Sequence, residues 1–208
     1  MSLFLIGFIA LGYAIYYHDT KLETYYTSQE YELQQVDFEK KYKKYENYAQ
    51  PRIVDVKVDM NIFPKERNYQ AKVNYIMINK SEKAIDSIFL NYGKNLQEIA
   101  FAKKNQVVLN DTVQGFRIYK LNETLQPGDS LLVEFEVKNR KNTWLEDKSP
   151  VIENGTFINN FIFPSFGYSS DGEISHNDIR KKYGLPAKEL MAEAHDHHAR
   201  ENTYISSN

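Results

Sequence analysis

The most concentrated set of groups that could do chemistry lies near the C-terminus, where His195, His197 and His198 surround Asp196. Zinc needs ligands that converge on one point, and a helix usually supplies two histidines four residues apart, as in His-Glu-x-x-His. His195 and His198 are only three residues apart, and no glutamate lies between them to act as a base. Short histidine clusters without a buried frame rarely form closed sites. We therefore interpret them as solvated polar residues, with a metal-dependent enzyme built on this cluster as the less favoured alternative.

No other group of residues has the spacing of a catalytic site. His18 borders an apolar run and His176 lies in a polar segment, so neither has an evident partner for triad chemistry. The sequence contains no Gly-x-Ser-x-Gly elbow, no Walker loop and no Gly-x-Gly-x-x-Gly fingerprint. It also has no cysteine, which excludes thiol catalysis, thiolate metal sites and disulfides. We assign no catalytic, cofactor-binding or metal-binding residue to this chain.

Composition indicates one folded domain with accessory segments. The chain has 208 residues, of which 42% are hydrophobic and 14% aromatic, and this is too much apolar surface for a disordered protein. The net charge is -2, from 26 basic and 28 acidic residues interspersed along the chain. No strong positive field exists to attract a polyanion, so we expect no nucleic-acid partner.

The N-terminal residues form an apolar segment without charges. Residues 3–17 (LFLIGFIALGYAIYY) end in a cluster of tyrosines, as membrane helices do at the lipid–water interface. A secretory signal peptide would begin with basic residues, but the first basic residue is Lys21, and Gly12-Tyr13-Ala14 is a poor cleavage site. The pattern predicts a transmembrane-type helix over residues 1–18 that contacts membrane lipid through residues 3–17. A buried helix of a soluble protein is the alternative.

Two different periodicities follow this segment. Residues 19–50 lack Gly and Pro and are rich in Glu, Lys, Gln and Tyr, which predicts a polar helical stalk that ends at Pro51. From Ile53 the apolar residues recur at every second position, and Val54 to Ile62 read as a half-buried strand. This strand is predicted to form a hairpin with the alternating residues 69–77. Further short apolar runs occur at 85–92, 107–109, 116–121 and 131–137. Short strands at these intervals, with no helix between them, predict a mainly β antiparallel β-sandwich over residues 51–170.

The remaining residues are more polar. Asn154-Gly155 beside aromatic residues predicts the tip of a hairpin. Residues 171–208 read as a polar extension, with a short helix between Pro186 and Arg200 and an incomplete strand from Thr203 to Asn208.

Several strings in this sequence resemble one family. They are YKKYE with the following Gln50-Pro51, VKVDMNIFPKER, LQPGDS, NGTFI with the following Phe163-Pro164-Ser165, and RKKYGLP. Together they are similar to the start of the peptidase part of bacterial membrane proteins, typical of Bacteroidetes-like genomes. Those proteins join an ABC-transporter-type permease region to an aminopeptidase N-type zinc peptidase. The likeness extends over nearly the whole chain and is most specific at residues 42–67 and 154–186.

The resemblance implies an order of parts. Membrane helices and a stalk would precede a saddle-like aminopeptidase N-terminal domain, and a thermolysin-like domain would follow with Gly-x-Met-Glu-Asn and His-Glu-x-x-His. Neither motif occurs in these 208 residues. The chain is then expected to be a non-catalytic scaffold that lines the substrate cleft, with no cofactor of its own and zinc held in the downstream domain.

The same resemblance implies three partners and a location. The partners are the downstream peptidase domain, membrane lipid, and peptide substrate at the rim of the sandwich. The location is the bacterial inner membrane, with the sandwich as a soluble domain. A stand-alone membrane-anchored binding module of the cell envelope is the alternative from a different functional class.

Overall fold

A computed structural model describes residues 2–18, 20, 26–139, 149–153 and 155–188 of this chain. These residues form two compact units. The first consists of Met1–Lys40 with Glu173–Lys188, and the second contains Lys41–Gly172. The first unit is helical, and the strands described below all belong to the second.

Three α-helices occur in the described residues. α1 spans Ser2–Tyr17, α2 spans Ser28–Tyr42 and α3 spans Asn177–Lys182. The expected apolar helix is therefore present as α1, and its large apolar side chains from Phe4 onwards are exposed. Within residues 2–18, 26–139, 149–153 and 155–188, no helix combines the length and apolarity needed to cross a membrane.

Helix α2 begins at a capping box. The backbone N–H of Glu30 donates to the Thr27 hydroxyl at 3.2 Å, and the Glu30 carboxylate accepts the backbone N–H of Thr27 at 2.8 Å. These two bonds satisfy N–H groups that the first turn leaves unpaired. The sequence thus sets the start of this helix locally.

The helix ends earlier than the expected stalk of residues 19–50. After α2 the chain forms a 3₁₀ turn at Lys43–Tyr45, and residues 46–50 are not helical. The Tyr45 ring lies 4.9 Å from Phe89 and 6.3 Å from Phe116, measured between ring centroids. Packing of this ring against a sheet offers more buried apolar surface than another turn of polar helix would, which explains the early end.

The second unit contains two four-stranded antiparallel sheets. The first sheet has the strand order β1-β2-β7-β4 and the second has the order β10-β3-β6-β5, with a small separate hairpin of β8 and β9. The strands are β1 Arg52–Phe63, β2 Asn68–Ile78, β3 Ile85–Asn91, β4 Leu96–Phe101, β5 Asn105–Asp111, β6 Phe116–Leu125, β7 Ser130–Asn139, β8 Val151–Ile152, β9 Gly155–Thr156 and β10 Ser165–Phe166.

One hydrophobic core lies between the two sheets. Alternate residues of β2 and β7, such as Val73 and Val133, belong to the same buried cluster as Ile88 of β3 and Leu121 of β6. The shared cluster shows that the sheets pack face to face, and the mainly β antiparallel sandwich expected from the sequence is confirmed.

Strand β1 differs from its prediction in one respect. Val56, Val58 and Ile62 are 54%, 40% and 42% exposed, although they pair with the buried residues Tyr75, Val73 and Tyr69 of β2. The expectation of a half-buried strand is wrong here, because β1 lies at the edge of its sheet and the second sheet does not cover it. Met60 alone on this row is partly buried and packs against the core.

Two other expectations have different outcomes. β8 and β9 pair antiparallel, which confirms the predicted hairpin, although Asn154 itself lies outside the described residues. The structure describes the chain only as far as Lys188. Most of the expected helix between Pro186 and Arg200, and all of the expected strand from Thr203 to Asn208, therefore lie outside the described residues.

Candidate interaction surfaces

A buried ion pair links α2 to α3 in the first unit. Arg180 Nη2 lies 2.6 Å from Glu39 Oε1, and Arg180 Nη1 lies 2.8 Å from Glu39 Oε2. The same guanidinium donates to the carbonyl oxygens of Ile174 and Pro186 at 2.8 and 2.7 Å. Both charged side chains are buried. The pair therefore fixes the segment 173–188 on α2, and its donors are engaged by protein groups.

A second set of polar contacts lies on the same two segments. The Glu32 carboxylate accepts hydrogen bonds from Lys182 Nζ at 2.7 Å and from the Tyr183 hydroxyl at 2.8 Å. These two bonds, with Lys182 the larger cause, hold the pKa of Glu32 below its usual value. Lys188 Nζ lies 2.9 Å from Glu173 Oε2. The arrangement is a set of structural ion pairs.

The described residues contain no group that could hold a metal ion. No set of three His, Asp or Glu side chains converges within residues 2–18, 26–139, 149–153 and 155–188. His18 is buried and His176 precedes the first residue of α3. The cluster His195 to His198 lies outside the described residues.

The first unit also has an open depression of about 680 Å³, which is bordered by Asn177, Lys181 and residues 184–187. Lys181 is the one charged side chain among these bordering residues.

A hydrogen-bonded carboxylate joins the end of α2 to the second sheet. The Tyr42 hydroxyl donates to Asp111 Oδ2 at 2.7 Å, and the backbone N–H groups of Val113 and Gln114 donate to Asp111 Oδ1 at 3.1 and 3.0 Å. Burial opposes ionisation of Asp111, but these hydrogen bonds outweigh it and keep the pKa of Asp111 below its ordinary value. Asp111 therefore acts as a turn and docking residue.

The segment after β9 presents two phenylalanines to solvent. We define residues 157–163 as the aromatic loop. Phe157 and Phe161 are 82% and 83% exposed. Their neighbours Ile158 and Ile162 pack against the core of the sandwich. In each of the neighbouring pairs Phe157–Ile158 and Phe161–Ile162, the phenylalanine is exposed and the isoleucine packs against the core.

The aromatic loop is anchored by specific hydrogen bonds. Asn159 Oδ1 accepts the backbone N–H of Phe161 at 3.1 Å, and Asn95 Nδ2 donates to the carbonyl oxygen of Ile162 at 2.5 Å. The Phe163 ring lies 6.0 Å from Phe135 of β7 in an edge-to-face arrangement. The exposed phenylalanines therefore sit on a frame held by the core.

One edge of each sheet differs in how far other residues cover it. Along β3, the edge is covered by the short strand β10 and by Gln50, whose side chain bonds the carbonyl oxygen of Ser87 and the backbone N–H of Phe89, each at 2.9 Å. Along β1, the only described partner is β2. The 12-residue strand β1 thus leaves a long edge with no neighbouring strand among the described residues.

Comparison with known proteins gives matches among solved structures and none by sequence. No family model matches the sequence, and no curated protein is similar to it. Among solved structures, an M1 zinc metallopeptidase from Deinococcus radiodurans matches 45% of this chain at 10% identity with a TM-score of 0.34. A mutant of that enzyme with a bound Tyr-Ser-Ala substrate matches 45% at 9% identity with a TM-score of 0.33. A two-domain mutant with bound L-tryptophan matches 50% at 10% identity with a TM-score of 0.34.

Each match covers only part of this chain and only part of the solved structure. This chain spans 21% to 23% of the length of those enzymes. At this identity and TM-score they assign no activity and no site residue to this protein. The class that the structure itself defines is an antiparallel β-sandwich with accessory helices.

Proposed function

We propose that this chain is the non-catalytic N-terminal scaffold of a membrane-bound zinc aminopeptidase, and that the catalytic zinc belongs to a domain downstream of it. The sequence strings that resemble this family lie on the sandwich, at the end of α2 and in the segment 173–188 of the first unit. The proposal includes the finer assignment to permease-linked bacterial peptidases. The observation that carries the proposal is the exposed pair Phe157 and Phe161. Phe157 lies within the string NGTFI, and Phe161 lies between that string and the following Phe163-Pro164-Ser165.

The aromatic loop has the properties of an interface anchor. Phe157 and Phe161 are almost fully exposed, while the residues beside them are tied to the core. Aromatic side chains held in one position supply large contact area at little cost in conformational entropy, which is why they are enriched in interface hot spots. The proposed occupant of this surface is the downstream peptidase domain, with peptide substrate reaching the rim between them.

Helix α1 supports the membrane part of the proposal. Its large apolar side chains from Phe4 to Tyr17 are exposed, including Phe8, Leu11 and Ile15. A helix that is apolar all round requires an apolar environment. We propose that lipid supplies it and that the location is the inner membrane of a bacterium.

The test measures binding between this chain and the polypeptide encoded after it in the same reading frame, produced separately. The double variant Phe157→Ser with Phe161→Ser should weaken binding about tenfold or more, since two anchoring aromatic residues are lost. Val113→Ser is the matched control, because Val113 is another exposed apolar residue, 69% exposed, outside the loop. Absence of binding by the unmodified chain, or equal loss in the control, would contradict the proposal.

A further inference from the structure

Strand β1 combines two properties that point to a partner strand. Its outer edge has no neighbour among the described strands, and its apolar row Val56, Val58 and Ile62 is exposed although it faces the core side of the sheet. Natural sheets usually shorten, cover or bend such edges, because an unpaired row of N–H and C=O groups binds other strands. We propose that a second copy of this chain pairs its β1 antiparallel with this β1 across a two-fold axis.

The charge pattern of β1 and its bulge together favour one register. When Val58 of one copy lies opposite Val58 of the other, Lys57 of each copy lies opposite Asp59 of its partner. This gives two opposite-charge pairs on one face of the joined sheet. On the other face Val56 lies opposite Met60, so apolar residues meet apolar residues.

Neighbouring registers are less complementary. With Lys57 on the axis, the two lysines face each other and Asp55 faces Asp59 twice. With Asp59 on the axis, two aspartates face each other. Like charges directly opposite each other destabilise a strand pair. Registers shifted by an odd number of residues would place apolar side chains against charged ones.

The local geometry permits the selected register. The bulge in β1 lies between Ile53 and Asp55, so residues 55–61 form a regular ladder with β2. A pairing centred on Val56 would also place Asp55 opposite Lys57, but it would extend into this bulge. A pairing centred on Val58 uses the regular stretch symmetrically, with Asp55 opposite Asn61. An isologous contact of this kind closes on itself and joins two four-stranded sheets into one. This interface uses neither Phe157 nor Phe161, so it goes beyond the proposed function and does not depend on it.

The first experiment measures the oligomeric state of the full 208-residue chain by analytical ultracentrifugation in a mild detergent that covers α1. We expect a dimer, and we expect Lys57→Glu to raise its dissociation constant about tenfold or more, because each copy then places a carboxylate opposite Asp59. The double variant Lys57→Glu with Asp59→Lys should restore the dimer, because the pairs become opposite in charge again. Circular dichroism checks that each variant keeps its fold.

The second experiment locates the axis and does not depend on charge variants. The chain has no cysteine, so Val58→Cys introduces a single thiol that meets its own copy on the axis. Val56→Cys is the matched control, since the two thiols would be four residues apart along the strands, or about 13 Å. We expect oxidation to give a covalent dimer only with Val58→Cys. A strictly monomeric chain, equal cross-linking of both variants, or self-association unaffected by Lys57→Glu would overturn the proposal, the last of these by indicating association through α1.

Discussion

At the residue scale, the Glu39–Arg180 pair is a buried ion pair that links α2 to the segment 173–188. The two residues are 141 positions apart in the chain, and both are buried. Taking a guanidinium and a carboxylate out of water costs free energy that their mutual attraction and hydrogen bonds must offset. The sequence does not reveal this pairing, because two residues this far apart in the chain leave no local periodicity.

Removing one partner of this pair should destabilise the first unit strongly. Glu39→Ala leaves the Arg180 charge buried without its partner and should lower the free energy of unfolding by about 3–5 kcal/mol. The double variant Glu39→Leu with Arg180→Met should recover most of that loss, because no charge remains buried. Urea unfolding followed by circular dichroism measures both changes, and an equal loss in the single and double variants would show that the pair does not act as a unit.

Residue patterns also explain why the early end of α2 was not predicted. Tyr42 and Tyr45 have the spacing of a helical stripe, and the local sequence contains no helix breaker before Pro51. The Tyr42 ring lies 4.4 Å from Phe116, which is more than 70 residues away in the chain. Tertiary packing therefore decides the end of this helix, and local propensity does not reveal it.

At the element scale, the turns of the sandwich depend on glycines with positive φ. Gly115 in the β5–β6 turn has φ 62°, and a Cβ built there would lie 2.3 Å from the carbonyl oxygen of Tyr92. Gly128 in the turn before β7 has φ 85°, but a Cβ there would have no atom within 4 Å. A side chain at Gly128 would therefore meet backbone strain alone, whereas a side chain at Gly115 would meet backbone strain and a steric clash.

Alanine at these two positions should have unequal effects. Gly128→Ala should cost about 1–2 kcal/mol of unfolding free energy, from the left-handed backbone alone. Gly115→Ala should cost more, because the backbone oxygen of Tyr92 must also move. Thermal unfolding of both variants provides the comparison, and a smaller effect at Gly115 would show that the β5–β6 turn relaxes freely.

Most strands could be predicted from alternation, and the exceptions have physical reasons. β2 and β7 alternate strictly because one face of each is buried in the core. β4, which the sequence did not reveal, has only six residues and lies at a sheet edge, so its apolar pattern is weak. β1 alternates in the same way as a half-buried strand, although both of its faces are largely exposed. Alternation in a sequence does not show whether the apolar face of a strand is covered by a second layer.

At the scale of the whole molecule, composition and the period-two pattern of apolar residues predict the sandwich. The proposed role instead rests on the family resemblance and on two exposed phenylalanines of the aromatic loop. Apolar residues that recur every second position require two packed layers of sheet. No periodicity identifies the partner of an exposed loop, however, and Phe157 and Phe161 read in the sequence as strand residues of a hairpin. Their outward orientation emerges only from the inward packing of Ile158 and Ile162.

The most direct test of the scaffold assignment compares this chain with the product of its uninterrupted natural reading frame. Both are assayed for bound zinc by elemental analysis and for release of N-terminal residues from peptides. We predict that the longer product contains His-Glu-x-x-His, binds zinc stoichiometrically and hydrolyses peptides. The 208-residue chain should neither bind zinc stoichiometrically nor hydrolyse peptides. A natural stop codon directly after Asn208, or peptide hydrolysis by the 208-residue chain alone, would contradict the assignment.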